Sequence, residues 1–172
     1  MTRTQPPRSR TPPRTGGNAS TRLVSRRILI LANILRRAAT LRYRRLLGLP
    51  GGEWAVVAEL GVLAPRSLKD LSSALGLDKT QLSRTVSSLV DRGFVERKIN
   101  PANNREVQIS LTHDGTKTYR RLLAAGLAAN DVLLAGFSDR EISSLIGKID
   151  ELTTRARHTL RSEQELTHPD EQ

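Results

Sequence analysis

The sequence predicts a mostly α-helical protein with one small β-hairpin, and three observations predict it. Aromatic residues make up only 3% of the chain, so any core must be aliphatic, which suits helices packed on helices. Apolar residues recur at spacings of three and four both before residue 92 and after residue 112. Between them the period changes to two around a polar turn, as in a hairpin.

Residues 1–22 are rich in Pro, Arg, Thr and Gly and cannot bury enough apolar surface to offset the entropy of ordering, so a disordered basic arm is expected there. Pro6, Pro7, Pro12 and Pro13 exclude a continuous amphipathic helix of the transit-peptide kind. From Leu23 a helical stripe begins. Val24, Ile28, Leu31, Leu35 and Ala38 alternate at four and three, and the helix is expected over 23–47, before Gly48 and Pro50. Its other face carries Arg36, Arg37, Arg42, Arg44 and Arg45 with no acidic residue to pair along it, so it needs a partner surface.

After Gly51-Gly52 a short helix is expected from Glu53 to Leu63, ended by Pro65. Ser67, with Asp70 three residues on, makes an acidic variant of a capping box for a helix to Leu75. Gly76 stops that helix and Asp78 caps the next, Lys79 to about Arg92. Two strands follow, at 94–99 and 105–111. The second alternates, with Val107, Ile109 and Leu111 on one face, and Asn100 to Asn104 form the link. A long helix capped by Thr112 runs to about Phe137. Its apolar candidates are Tyr119, Leu122, Leu123, Leu127, Leu133 and Leu134. A last helix starts at Ser138, with Glu141 in the capping-box position, and aligns Ile142, Leu145, Ile149 and Leu152 to about Arg161. Residues 162–172 are polar and expected to fray. The two outer stripes, at about 23–47 and 112–161, are too long for the small middle unit at 51–112 to cover, so a homodimer is expected.

Charge points to a polyanion. Residues 1–52 contain 12 Arg and no Lys, Asp or Glu, while the rest hold 16 Lys and Arg against 17 Asp and Glu. The basic excess is therefore entirely N-terminal. Two short helices joined by Leu75-Gly76-Leu77-Asp78 have helix-turn-helix spacing. On the second, Leu82, Val86, Leu89 and Val90 point inward. Arg84 lies opposite them, flanked by Thr80, Ser87 and Ser88, with Gln81 at the edge. Such a small polar face suits a major groove, where Arg pairs with guanine, Gln with adenine, and Ser and Thr with either. Arg105, near the hairpin tip, can enter a minor groove.

Other classes are excluded or disfavoured. With no cysteine there is no disulfide, thiolate zinc site or redox thiol. His113, His158 and His168 do not sit at metal-ligand spacing. No phosphate loop, dinucleotide fingerprint or nucleophile elbow occurs, so no catalytic residue, metal or cofactor is expected. No apolar run approaches the ~20 residues of a membrane span, so a cytoplasmic, nucleoid-associated protein without a membrane partner is expected.

The run from Leu77 through Asp78-Lys79-Thr80-Gln81-Leu82-Ser83-Arg84 to Gly93-Phe94-Val95-Glu96-Arg97, then Asn103-Asn104-Arg105 and Leu111-Thr112-His113-Asp114-Gly115, resembles the MarR (multiple antibiotic resistance regulator) family. Glu53-Trp54 resembles the start of that family's second helix. The resemblance covers about 23–161 and is strongest at 67–115. It implies a winged helix-turn-helix core flanked by N- and C-terminal dimerisation helices, acting on double-stranded DNA as a ligand-responsive repressor at a pseudo-palindromic operator. By position, Lys79, Thr80, Gln81, Ser83, Arg84 and Ser87 inherit base reading, and Asn104 and Arg105 the wing contact. Asn103 stands where the family usually has Asp, and an amide holds a neighbouring arginine less strongly than a carboxylate does. The resemblance also implies a small-molecule effector, with Arg36, Arg37, Tyr43 and Trp54 as candidates for its cleft. The competing expectation is an architectural, nucleoid-type protein that binds DNA without sequence choice through the arm.

Overall fold

The structure, a computed structural model, describes residues 23–101 and 103–167, and of Arg105 only the backbone. The basic arm, Ala102 and the last five residues lie outside the described residues. Among the described residues six helices and three strands follow in order: α1 Val24–Leu47, α2 Glu53–Val62, β1 Arg66–Ser67, α3 Leu68–Leu75, α4 Lys79–Asp91, β2 Val95–Asn100, β3 Asn103–Leu111, α5 His113–Leu133 and α6 Asp139–Thr167.

Local chemistry sets most of the boundaries. Gly48 ends α1 and Gly76 ends α3, each with φ near +60°, a left-handed turn that glycine adopts without Cβ strain. The expected capping box forms at α3: the Asp70 N–H donates to Ser67 Oγ at 3.1 Å, and the Ser67 N–H donates back to the Asp70 carboxylate. Thr112 Oγ1 accepts from the Gly115 N–H at 3.0 Å and so caps α5.

The sheet is three-stranded and antiparallel, in the order β1-β3-β2. The sequence predicts two strands only. The third, β1, pairs Arg66 with Ile109 and Ser67 with Gln108 at the inner edge of the hairpin. Strand β3 also starts at Asn103, so part of the expected link is strand. Helix α5 ends at Leu133, four residues before the expected stop, ahead of Gly136 at φ 91°. Helix α6 continues to Thr167, so residues 162–167 are helical rather than frayed.

The core lies in the middle unit. Leu49, Val56, Val57, Leu71, Leu82, Val86 and Leu89 are fully buried, joined by Leu60, Val95, Ile109, Leu122 and Tyr43. These residues pack α2 against α3, α4, α5 and β3. The outer helices contribute little. Tyr43 is the buried residue of α1, and no residue of α6 is buried. Helix α5 buries Gly115, Thr118 and Leu122 in its first half and leaves Leu127 and Leu133 exposed in its second.

Candidate nucleic-acid interface

Helix α4 is held from below and capped from the front. Leu82, Val86 and Leu89 fix its inner face in the core. The Asp78 carboxylate accepts the backbone N–H groups of Thr80 at 2.8 Å and Gln81 at 3.0 Å. Lys79, Thr80, Gln81 and Arg84 are then exposed along the outer face, with Ser83 and Ser87 half-buried beside them. Six residues singled out by sequence thus share one surface. It carries two cations, an amide and hydroxyls, the groups that pair with base edges and phosphates.

The backbone N–H groups of Gln81 and Thr80 hold the Asp78 carboxyl below the usual aspartate range. The folded state therefore binds this proton less readily than the unfolded chain. The cap's contribution is complete above the pKa of an unfolded aspartate and is lost as pH falls below it toward the depressed folded value. Asp70 behaves the same way, chiefly because of its hydrogen bond from Ser67. Acid titration followed by circular dichroism is expected to show helix loss in that low window. Asp78→Asn keeps a capping oxygen without the charge and should shrink this acid sensitivity. An unchanged acid profile would refute the assignment.

The far end of α4 is anchored by a polar knot that the sequence reading does not anticipate. Glu53, on the first turn of α2, is 95% buried. Its carboxylate is ion-paired with the Arg92 guanidinium and accepts Ser88 Oγ at 2.7 Å. Arg92 also donates to the Gly48 carbonyl at 2.8 Å and lies over the Phe94 ring, 5.0 Å from its centre. Ser88, expected on the flank of the exposed face, is turned inward by this carboxylate. The knot ties the end of α4 to the start of α2 and the end of α1. Its only sequence trace is a Glu-Trp pair that reads as a helix start.

The wing rises beside α4. Its strands pair from Val95–Leu111 to Ile99–Val107, with Asn100 opposite Asn103 at the tip. Arg97 on β2 donates to Ser87 Oγ at 3.0 Å, linking wing and helix directly. Sequence reasoning quotes Arg97 within the family pattern and gives it no role. Asn104 is exposed on β3. The side chain of Arg105, the expected wing arginine, lies outside the described residues.

Of the expected effector residues, two are exposed and two pack against each other. Arg36 and Arg37 are exposed on α1, and Arg36 donates to Asn33 Oδ1 at 3.0 Å. Tyr43 is buried against Trp54, with ring centres 5.4 Å apart, and the Trp54 indole N–H donates to Thr40 Oγ1. The aromatic pair packs α1 onto α2 rather than forming a cleft wall. Two shallow grooves lie elsewhere, one along Phe137, Glu141 and Leu145 and one along Arg27, Ile30 and Ile34. Among the described residues no cluster of three potential metal ligands occurs, and no helix is long and apolar enough to cross a membrane.

Comparison with known proteins agrees with this geometry. Residues 47–106 match the sequence profile of the MarR family. The helix-turn-helix-type transcriptional regulator YwoH of Bacillus subtilis is 29% identical over 94 residues, spanning 55% of this chain and 68% of that protein. A MarR family regulator from Listeria monocytogenes, solved in complex with a 26mer DNA, superposes with a TM-score of 0.75 at 22% identity, over 83% of this chain and 95% of that one. A MarR/EmrR family regulator from Acinetobacter superposes at 0.70 with 26% identity, over 78% and 94% of the two chains. The matched segment contains the polar knot and the whole of α4, and the chain around it has the fold of these regulators. Residues 47–106 thus match the MarR family, a family of transcriptional regulators, and the chain has the winged helix-turn-helix fold of the solved regulators of that family.

Proposed function

We propose that the protein is a sequence-specific repressor that binds a pseudo-palindromic operator as a homodimer. The observation that carries this reading is the outer face of α4. Lys79, Thr80, Gln81 and Arg84 stand clear of a helix whose opposite side is locked into the core. A 13-residue helix presented this way fits a major groove, and its N-terminal residues reach base edges. Dimerisation is supported by the apolar surface that α1 and α6 leave open, and two copies would present two such helices to two half-sites. Occupancy of the operator would exclude other proteins from it, and a small anionic effector meeting Arg36 and Arg37 would modulate that occupancy.

Selection of bound sequences from random duplex DNA tests the reading. An inverted repeat is the expected result. Enrichment of no sequence, with affinity falling steeply as salt rises, would favour instead an architectural protein working through its N-terminal arginines. Within the selected operator, Arg84→Ala should weaken specific binding by about 1–3 kcal/mol while leaving random-sequence binding almost unchanged. Equal losses on both DNAs in a fluorescence titration would reduce Arg84 to a phosphate contact.

A further inference from the structure

The arginines of residues 1–22 are the largest charge that the proposed function leaves unused. Arg3, Arg8, Arg10, Arg14 and Arg22 stand there with no acid among them, and Arg26 and Arg27 follow, exposed, on the first turn of α1. The chain does not supply their counter-charge. Its first acidic residue is Glu53, which is buried and paired with Arg92. Residues 53–172 hold 17 Asp and Glu against 16 Lys and Arg, so the body has next to no negative charge to spare. Much of that acid is also committed: Glu59 to Arg66, Glu96 to Lys98, Glu151 to Arg155, and Asp70 and Asp78 to helix starts. No acid stands in the first turn of α1, where cations oppose the positive end of the helix dipole.

We propose that residues 1–22 lie along the phosphate backbone of the duplex that α4 holds, an inference that rests on the DNA-binding reading above. Reach, charge and composition identify the occupant. Fully extended, a segment of this length spans about 75 Å, and Pro6, Pro7, Pro12 and Pro13 favour extended backbone. Helices α1 and α4 are together about 56 Å long. Their ends are joined where Arg92 donates to the Gly48 carbonyl. The segment is thus longer than the two helices laid end to end, long enough to run from the start of α1 to the first turn of α4. An anionic membrane would supply the same charge, but stable attachment there takes a second, apolar anchor. Apart from prolines, residues 1–22 offer only Met1 and Ala19 as apolar side chains. A duplex needs no such anchor, since it presents one negative charge per about 1.7 Å of axis. Backbone contacts carry no sequence information, so these arginines add affinity and leave base reading to α4.

The test changes Arg3, Arg8, Arg10 and Arg14 in the full chain, all to Gln in one variant and all to Lys in another. Neither touches the core, so the thermal midpoint should be unchanged. If the Gln variant melts early, the pair Arg3→Gln, Arg8→Gln carries the same test with half the expected change. Affinity for the selected operator is measured by fluorescence titration across a salt series. Each phosphate neutralised contributes about 0.9 to the slope of log affinity against log salt, so the Gln variant should flatten that slope by about 2–4 for each bound chain. The Lys variant should keep the wild-type slope, and sequence selection with either variant should return the wild-type sequence. Parallel slopes for wild type and Gln variant would overturn the proposal. So would an equal loss of slope in the Lys variant, since charge would then not be the cause. A changed sedimentation coefficient of the free Gln variant would overturn it in favour of contact between copies, for which Glu163 and Glu165, exposed near the end of α6, supply the acids. A wild type that selects no sequence would instead sink the sequence-reading proposal, and the slopes on random duplex would still decide the role of these arginines.

Discussion

A chain carrying Leu31→Asp together with Leu145→Asp is expected to sediment as a monomer at micromolar concentration, where the wild type is expected to sediment as a dimer. Leu31 is 49% exposed on α1 and Leu145 is 41% exposed on α6. Each sits in an apolar stripe, Val24-Ile28-Leu31-Leu35 on one helix and Leu145-Ile149-Leu152 on the other, that no element among the described residues covers. A second copy that covers the stripes would bury four carboxylates in the variant. Each unpaired charge costs several kcal/mol once taken out of water, far more than the leucine contact it replaces. The middle unit uses neither residue, so its own helices should persist in circular dichroism. Operator affinity should fall by about 10²–10⁴, because two half-sites then bind independently and lose their mutual effective concentration. A wild-type protein that is a well-folded monomer at micromolar concentration would remove the basis of this expectation.

The second large effect belongs to Gly115→Ala. Gly115 is buried in the first turn of α5, and a Cβ there would lie 1.9 Å from the Phe94 carbonyl oxygen. The obstacle is backbone, so no rotamer change relieves it. Gly93 O also accepts Thr112 Oγ1 at 2.6 Å, so the start of α5 is fastened to the same turn from which the wing departs. Relief would mean pulling α5 away from the hairpin. The expected destabilisation is about 3 kcal/mol or more, at the upper end of overpacking effects. A urea midpoint within error of wild type would show that the helix start can shift after all.

Much of this architecture is legible in the sequence because its signals are local. The Ser67–Asp70 box, the Asp78 cap and the stopping glycines at 48 and 76 each act within one turn of the residue that carries them. The inner face of α4 follows from the spacing of Leu82, Val86 and Leu89 alone. What escapes the sequence is what forms at a distance. Arg66 and Ser67 have no strand period of their own and become β1 only because Ile109 and Gln108 offer a free edge. Ser88 sits on the polar flank of a helical wheel, yet Glu53, 35 positions earlier, draws it inward. Tyr43 looks available for a ligand until Trp54 closes over it. The polar end of α6 stays helical because no proline or glycine interrupts it before Pro169.

The knot at the base of α4 makes that helix a lever. Thirteen residues at about 1.5 Å each give a rod of about 20 Å, clamped through Arg92 and Ser88 at one end and free to touch a partner at the other. A swing of only about 5° at the clamp would carry Lys79 through nearly 2 Å, over half the length of a hydrogen bond. Aim at the tip is set by the core contacts of Leu82, Val86 and Leu89 together with one buried carboxylate at the opposite end, whose guanidinium partner also holds the C-cap of α1. The same guanidinium therefore joins the end of α1 to the helix whose outer face carries Lys79 and Arg84.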